Sequence, residues 1–129
     1  MRAVDTNVIV RYLTGDDPAQ ADKARAIVGQ EPVFVPRTVV LEVEWVLRGV
    51  YELPPGQVIA AIRALAGLPG VLLEDAALVA KAMGWAEGGM DFADALHLAA
   101  AAGCDDFLTF DKRLARAATR LGGMRVETP

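Results

Sequence analysis

The chain has 129 residues and a mass of 13.7 kDa, the size of one domain able to bury a core without disulfide or zinc staples. Lys+Arg is 13 and Asp+Glu is 17, a formal charge of −4, which excludes bulk positive charge as the means of holding nucleic acid. Apolar residues reach 53% and mean hydropathy is +0.30; this excludes disorder and suggests apolar surface reserved for another chain.

Met1–Val4 reads as a short strand, followed by Asp5-Thr6-Asn7, all good helix N-cap types. Val8–Leu13 is a short helix ended by Gly15, and Asp16-Asp17-Pro18 opens a helix through Ala19–Val28. Val33–Val35, between Pro32 and Pro36, is a buried strand, and Arg37–Val50 a strongly apolar helix. Pro54-Pro55 opens a helix over Gln57–Ala66, closed by Gly67, before a third strand at Val71–Leu73. Ala76–Trp85 is helical, Asp91–Ala102 an alanine-rich helix, and Phe107–Phe110 a fourth strand. Asp111 starts a helix to Leu121, stopped by Gly122-Gly123, and Met124–Val126 adds a last strand. Short apolar strands alternating with helices predict one parallel sheet covered by helices on both faces.

The single cysteine, Cys104, excludes an internal disulfide and a cysteine-based zinc site, and is expected to be a small buried residue. The first apolar run is broken at Asp5 and Arg11, and no later stretch reaches the ~18 uninterrupted apolar residues of a membrane span. The expectation is a cytoplasmic single domain, 1–129, with no membrane partner.

In open α/β sheets ligands bind at the carboxyl ends of the strands, and acids gather there. Asp5 follows the first strand, and Asp111 follows the fourth. Asp91 and Asp94, at i and i+3, share a helix face. Glu42 sits in TVVLEVEWVL with Val39 and Val46 as neighbours, so it is expected to face the apolar side; Glu44 has Arg48 at i+4 and an ordinary surface pairing. Each acid also has a plainer reading: Asp5, Asp91 and Asp111 as helix caps, Asp94 as a first-turn charge, Glu42 as a snorkelling side chain. If the acids meet, shared protons or a dication must offset their repulsion, about 4 kcal/mol per pair ~4 Å apart at an effective dielectric near 20. Oxygen-only ligands point to Mg²⁺ or Mn²⁺, and such a site suits phosphodiester hydrolysis.

The blocks VDTNVIVRYLTGDDP, VPRTVVLEVEWVLRGVY and DFADALHLAAAAGCDDFLTFDKRLARAA, in that order and spacing, resemble those of PIN-domain ribonucleases, closest to the VapC-type toxins of prokaryotic toxin–antitoxin systems. The resemblance implies an α/β/α sandwich around a short parallel sheet and Mg²⁺-dependent endoribonuclease cleavage leaving 3′-hydroxyl and 5′-phosphate ends. It maps an acidic quartet onto Asp5, Glu42, Asp94 and Asp111, with Asp5 and Asp94 as primary metal ligands. Asp91, Thr6, Asn7 and Thr109 match flanking positions that orient the acids or metal-bound water. It also implies an RNA substrate, a cognate antitoxin and a homodimer.

Lys112, Arg113, Arg116 and Arg120 form a basic stripe at helical spacing, read either as a track for RNA phosphates or as a solvated helix face. His97, at i+3 from Asp94, is read as packed or half-exposed rather than catalytic, and Trp45, Trp85 and Phe92 as core or interface. Two rivals are a phosphoacceptor receiver domain and a silent scaffold of the same fold. Against the receiver, no acidic pair follows the first strand and no lysine the last; against the scaffold, the acids are intact.

Overall fold

The apolar triplets Val33–Val35 and Val71–Leu73 become strands. A computed structural model describes residues 1–129. Strands β1 (Arg2–Ala3), β2 (Val33–Val35) and β3 (Val71–Leu73) form a parallel sheet in the order β1-β2-β3. Arg2 pairs with Val33 and Val33 with Val71. The ladder runs on past the strands, through Val4 N–H to the Phe34 carbonyl (3.1 Å) and Glu74 N–H to the Val35 carbonyl (2.9 Å). Parallel pairing therefore brings Asp5, Pro36 and Glu74, the residues after the three strand ends, to one edge.

Helices α1 (Thr6–Thr14) and α2 (Pro18–Arg25) connect β1 to β2, and α3 (Arg37–Gly49) and α4 (Pro55–Ala66) connect β2 to β3. α1 packs on α2 and α3, and α3 on α4. Ile9, Val33, Val35, Leu47 and Ile62 are fully buried there. α1 stops at Gly15, whose left-handed backbone (φ 66°) returns its N–H to the Arg11 carbonyl. The N-cap of α3 is Pro36, which offers no side-chain acceptor. Glu74, just after β3, supplies one by accepting the Arg37 N–H at 2.8 Å, while Asp75, in the left-handed region (φ 52°), pairs with the Arg37 guanidinium. Asp tolerates that backbone better than most residues.

These elements belong to a first compact unit, Met1–Ala76; Ala77–Pro129 forms a second. The second holds α5 (Ala76–Glu87, all but its first residue), α6 (Phe92–Ala100), β4 (Phe107–Leu108), α7 (Lys112–Leu121) and β5 (Val126–Glu127). β4 and β5 pair in parallel, Phe107 with Val126 and Leu108 with Glu127. Val79, Ala82, Ala95 and Leu98 are buried. The turn after α5 passes through Gly89, whose backbone (φ 106°) lies where residues other than glycine are strained.

The α/β class and the parallel pairing agree with expectation. Hydrogen bonding, however, makes two ladders, of three strands and of two, where one sheet was expected. The expected fourth strand is cut at Leu108 because the Thr109 hydroxyl accepts the Asp111 N–H and turns the chain. α2 ends at Arg25, short of Val28, where the chain turns through Gly29 (φ 83°) and Val28 bridges Glu31. α6 ends at Ala100, with the Ala101 N–H drawn back to the Leu98 carbonyl.

Candidate active site

In the first unit, Asp5 stands between β1 and α1 with extended backbone, and its Oδ1 accepts the Thr6 N–H at 2.7 Å. It is both an expected site acid and a helix cap, so the two readings of Asp5 are compatible. Thr6 is buried, and its hydroxyl donates to Glu42 Oε1 on α3. Asp5, Thr6, Asn7 and Glu42 line one cleft of about 340 Å³, with Arg11 and Tyr51 also on its wall. The sequence separation of 36 between Thr6 and Glu42 is closed by the packing of α1 on α3.

The expected orientation of Glu42 is wrong. α3 buries Val39, Val40, Val43, Glu44 and Leu47, so its core stripe runs through Glu44 and leaves Glu42 exposed. Glu44 is 3% exposed and is held by Arg48 Nε at 2.9 Å. The expected Arg48 pair exists, but it neutralises a carboxylate within the packed face. Exposure suits Glu42 as a site acid, because the side chain meets solvent in the cleft instead of needing a partner in the core.

In the second unit, Asp91 caps α6 by accepting the Asp94 N–H at 3.2 Å. Asp111 caps α7, with Oδ1 accepting the Arg113 N–H at 2.9 Å and the Leu114 N–H at 3.2 Å. Thr109 holds the turn into that cap through the Asp111 N–H. The Asp94 carboxyl sits above its ordinary pKa, through partial burial first and then the negative charges of Asp91 and Asp111, with His97 acting in the opposite sense. Asp94 therefore feels both Asp91 and Asp111, and Asp5 and Glu42 share a cleft. Within neither unit do three or more His, Cys, Asp or Glu side chains gather closely enough to hold a metal ion.

Lys112, Arg113, Arg116 and Arg120 are all exposed on α7. Arg120 donates to the Gly88 carbonyl at 3.1 Å, so it ties its helix to the turn after α5, and Lys112, Arg113 and Arg116 make up the rest of the stripe. His97 is exposed. Cys104 is exposed too, contrary to expectation, because α6 has ended and the chain passes through an open turn. Trp45 is 57% exposed rather than core, since it falls off the α3 stripe; Phe92 is buried as expected. Sequence reasoning missed Arg11 and Tyr51 as cleft residues. The available signal was Arg11 at i+4 from Asn7, one helical turn along the same face; nothing local marked Tyr51.

The profile described as PIN domain matches residues 2–120 of the chain. No curated protein matches. Among solved structures the chain is similar to that of Mycobacterium tuberculosis VapC20, described as a sarcin–ricin loop cleaving toxin. The identity is 20% and the TM-score 0.43, with 98% of this chain and 99% of that chain covered. No helix is long and apolar enough to cross a membrane.

Proposed function

The chain belongs to the PIN-domain family, and from that premise we propose that it is a Mg²⁺-dependent endoribonuclease, the toxin of a type II toxin–antitoxin pair. The observation that carries this reading is the PIN match over residues 2–120 together with the cleft that Asp5, Thr6, Asn7 and Glu42 line; in the second unit the Asp94 carboxyl is raised by burial and by Asp91 and Asp111. A carboxylate crowded by two others is a position that a cation relieves. The whole chain, 1–129, acts as a single PIN domain in this reading.

Asp5, Glu42, Asp94 and Asp111 are the acids proposed to carry the reaction. The donor set fits a hard dication: every candidate ligand is a carboxylate oxygen, without Cys or a His cluster. Mg²⁺ takes one or two protein carboxylates directly and keeps its waters, so Asp5 and Asp94 are the proposed primary ligands, with Mn²⁺ an acceptable substitute. When bound, the ion would draw charge from the scissile phosphate and acidify the attacking water. Thr6 holds Glu42 by donating its hydroxyl proton to Oε1, and Asn7 lines the same cleft. Asp91 orders the first turn of α6, where Asp94 stands, and Thr109 the turn that sets Asp111. Lys112, Arg113 and Arg116 are proposed to take RNA phosphates along α7. A cognate antitoxin, a homodimer and a cytoplasmic location complete the proposal.

The test is cleavage of a labelled single-stranded RNA by the full chain with Mg²⁺ and with a chelator. Expected is cleavage in Mg²⁺ alone, lost in Asp5→Asn and Asp94→Asn proteins that keep their circular dichroism. Equal cleavage by either variant would remove the assignment.

A further inference from the structure

Arg11, in the last turn of α1, is held by three different segments. Its Nε donates to Gln20 Oε1 on α2 at 2.8 Å. Its Nη1 donates to Asp16 Oδ1 in the α1–α2 loop at 3.0 Å and to the Tyr51 hydroxyl, beyond α3, at 3.1 Å. The ring closes on itself, because Tyr51 donates its hydroxyl to Asp16 Oδ2 at 2.5 Å and Thr14 donates to Asp16 Oδ1 at 3.0 Å. A guanidinium carries five N–H donors in a rigid plane. Three are accounted for, one on Nε and two on Nη1, and the pair on Nη2 has no partner.

That unspent pair belongs to a side chain on the wall of the cleft lined by Asp5, Thr6, Asn7 and Glu42. A cleft bearing two carboxylates repels a polyanionic strand, so a strand entering it needs a fixed donor of the opposite sign nearby. A planar fork, already immobilised at three of its five donors, gives up little freedom when it binds a phosphate oxygen. We propose that Arg11 is a phosphate-binding residue of the RNA site, its Nη2 donating to the backbone of the strand in the Asp5–Glu42 cleft, with Asp16, Gln20 and Tyr51 as positioning residues. The inference deepens the nuclease reading and rests on it for the identity of the ligand.

The experiment measures binding separately from cleavage. Fluorescence anisotropy of a labelled single-stranded oligoribonucleotide is recorded with the full chain in chelator, across about 50 to 200 mM salt. Arg11→Met is expected to weaken binding about tenfold and to reduce the slope of log K against log salt by about 0.7, the value for one phosphate contact on a single strand. Arg11→Lys keeps the slope but loses affinity, because the charge stays and the fork does not. Tyr51→Phe weakens binding with the slope unchanged, because the guanidinium is only loosened. A residue that merely ties α1 to α2 would lower the melting temperature in Arg11→Met and leave the salt slope at the wild-type value; that result overturns the proposal, as does a wild-type chain that binds no RNA. Cleavage in Mg²⁺ by wild type and Asp5→Asn reads the nuclease proposal independently. Binding with the expected slope change but no cleavage would retain the Arg11 contact and remove the nuclease.

Discussion

In Met1–Ala76 the candidate acids line a shaped cleft, whereas in Ala77–Pro129 two of them cap helices and the third, Asp94, feels the charge of both. Asp5 takes a backbone N–H, Glu42 takes the Thr6 hydroxyl, and Arg11 stands on the same cleft wall. Asp94 instead feels Asp91 and Asp111, and its carboxyl resists ionisation. The difference teaches where a cation is needed. The first unit presents a shaped cleft whose polar groups are already ordered by protein donors. The second places Asp94, partly buried, beside the charges of Asp91 and Asp111, which His97 offsets only in part.

The largest expected effect tests whether the two sets serve one reaction. Asp5→Asn and Asp94→Asn should each lower cleavage by a factor on the order of 10³ or more, and the double variant should be little worse than either, as for groups that act as a unit. Single-turnover rates on one RNA decide it: losses that multiply would mean that the sets work independently. Asn is the right probe at Asp5, because it caps a helix as well as Asp does.

A smaller effect separates the two threonines. Thr6 donates to an acid side chain, and Thr109 accepts an acid's backbone N–H. Thr6→Val should cut cleavage about 10- to 100-fold, the usual cost of removing a partner that orients a site ligand. Thr109→Val should instead cost about 0.5–1.5 kcal/mol of stability through the lost hydrogen bond, with a milder loss of rate. Comparing kcat with the denaturation midpoint in both variants sharpens the contrast, and equal kinetic losses would erase it.

The two glutamates of α3 show how far the sequence could be read. Element types were legible throughout, because Pro, Gly and Asp mark their ends: Val33–Val35 and Val71–Leu73 are the strands observed, α3 starts at Arg37 after Pro36, and α7 starts after its cap Asp111. Which face α3 buries was not legible. Val39, Val40, Leu41, Val43, Val46 and Leu47 surround the helix with apolar side chains, so local neighbours assign a glutamate to the core only ambiguously; tertiary packing selected Glu44. The acids of the resemblance were legible as residues, and three of the candidate acids, Asp5, Asp91 and Asp111, prove to be caps as well. The contributions of Arg11 and Tyr51 were not, since they depend on hydrogen bonds across 9 to 40 residues of chain. The exchange of roles makes a third prediction. Glu44→Ala should destabilise by about 1–3 kcal/mol, because it removes a buried carboxylate and its charge-assisted hydrogen bonds to Arg48 from the packed face of α3, while activity per folded molecule stays near wild type. Glu42→Ala should do the reverse, and urea melts paired with cleavage rates distinguish them.

The smallest effect concerns Asp94 without metal. A folded-state pKa raised above the unfolded value means that the folded chain binds this proton more tightly than the unfolded chain does. The stability it contributes is therefore fully present below the ordinary value of 3.8 and is lost as pH rises through the raised folded value. At neutral pH the metal-free wild type carries an ionised Asp94 beside Asp91 and Asp111, and Asp94→Asn does not. The variant should then melt higher than wild type in chelator, and the gap should close as pH falls toward 3.8. Subtracting the two melting curves at each pH removes the carboxylates remote from Asp94, so the difference reports Asp94 together with its coupling to Asp91 and Asp111. Mg²⁺ should close the same gap from the other side at neutral pH, raising wild type by mass action and leaving the variant behind. A gap that stays constant between pH 3.8 and neutrality would mean that charge crowding is not what distinguishes the second unit from the first.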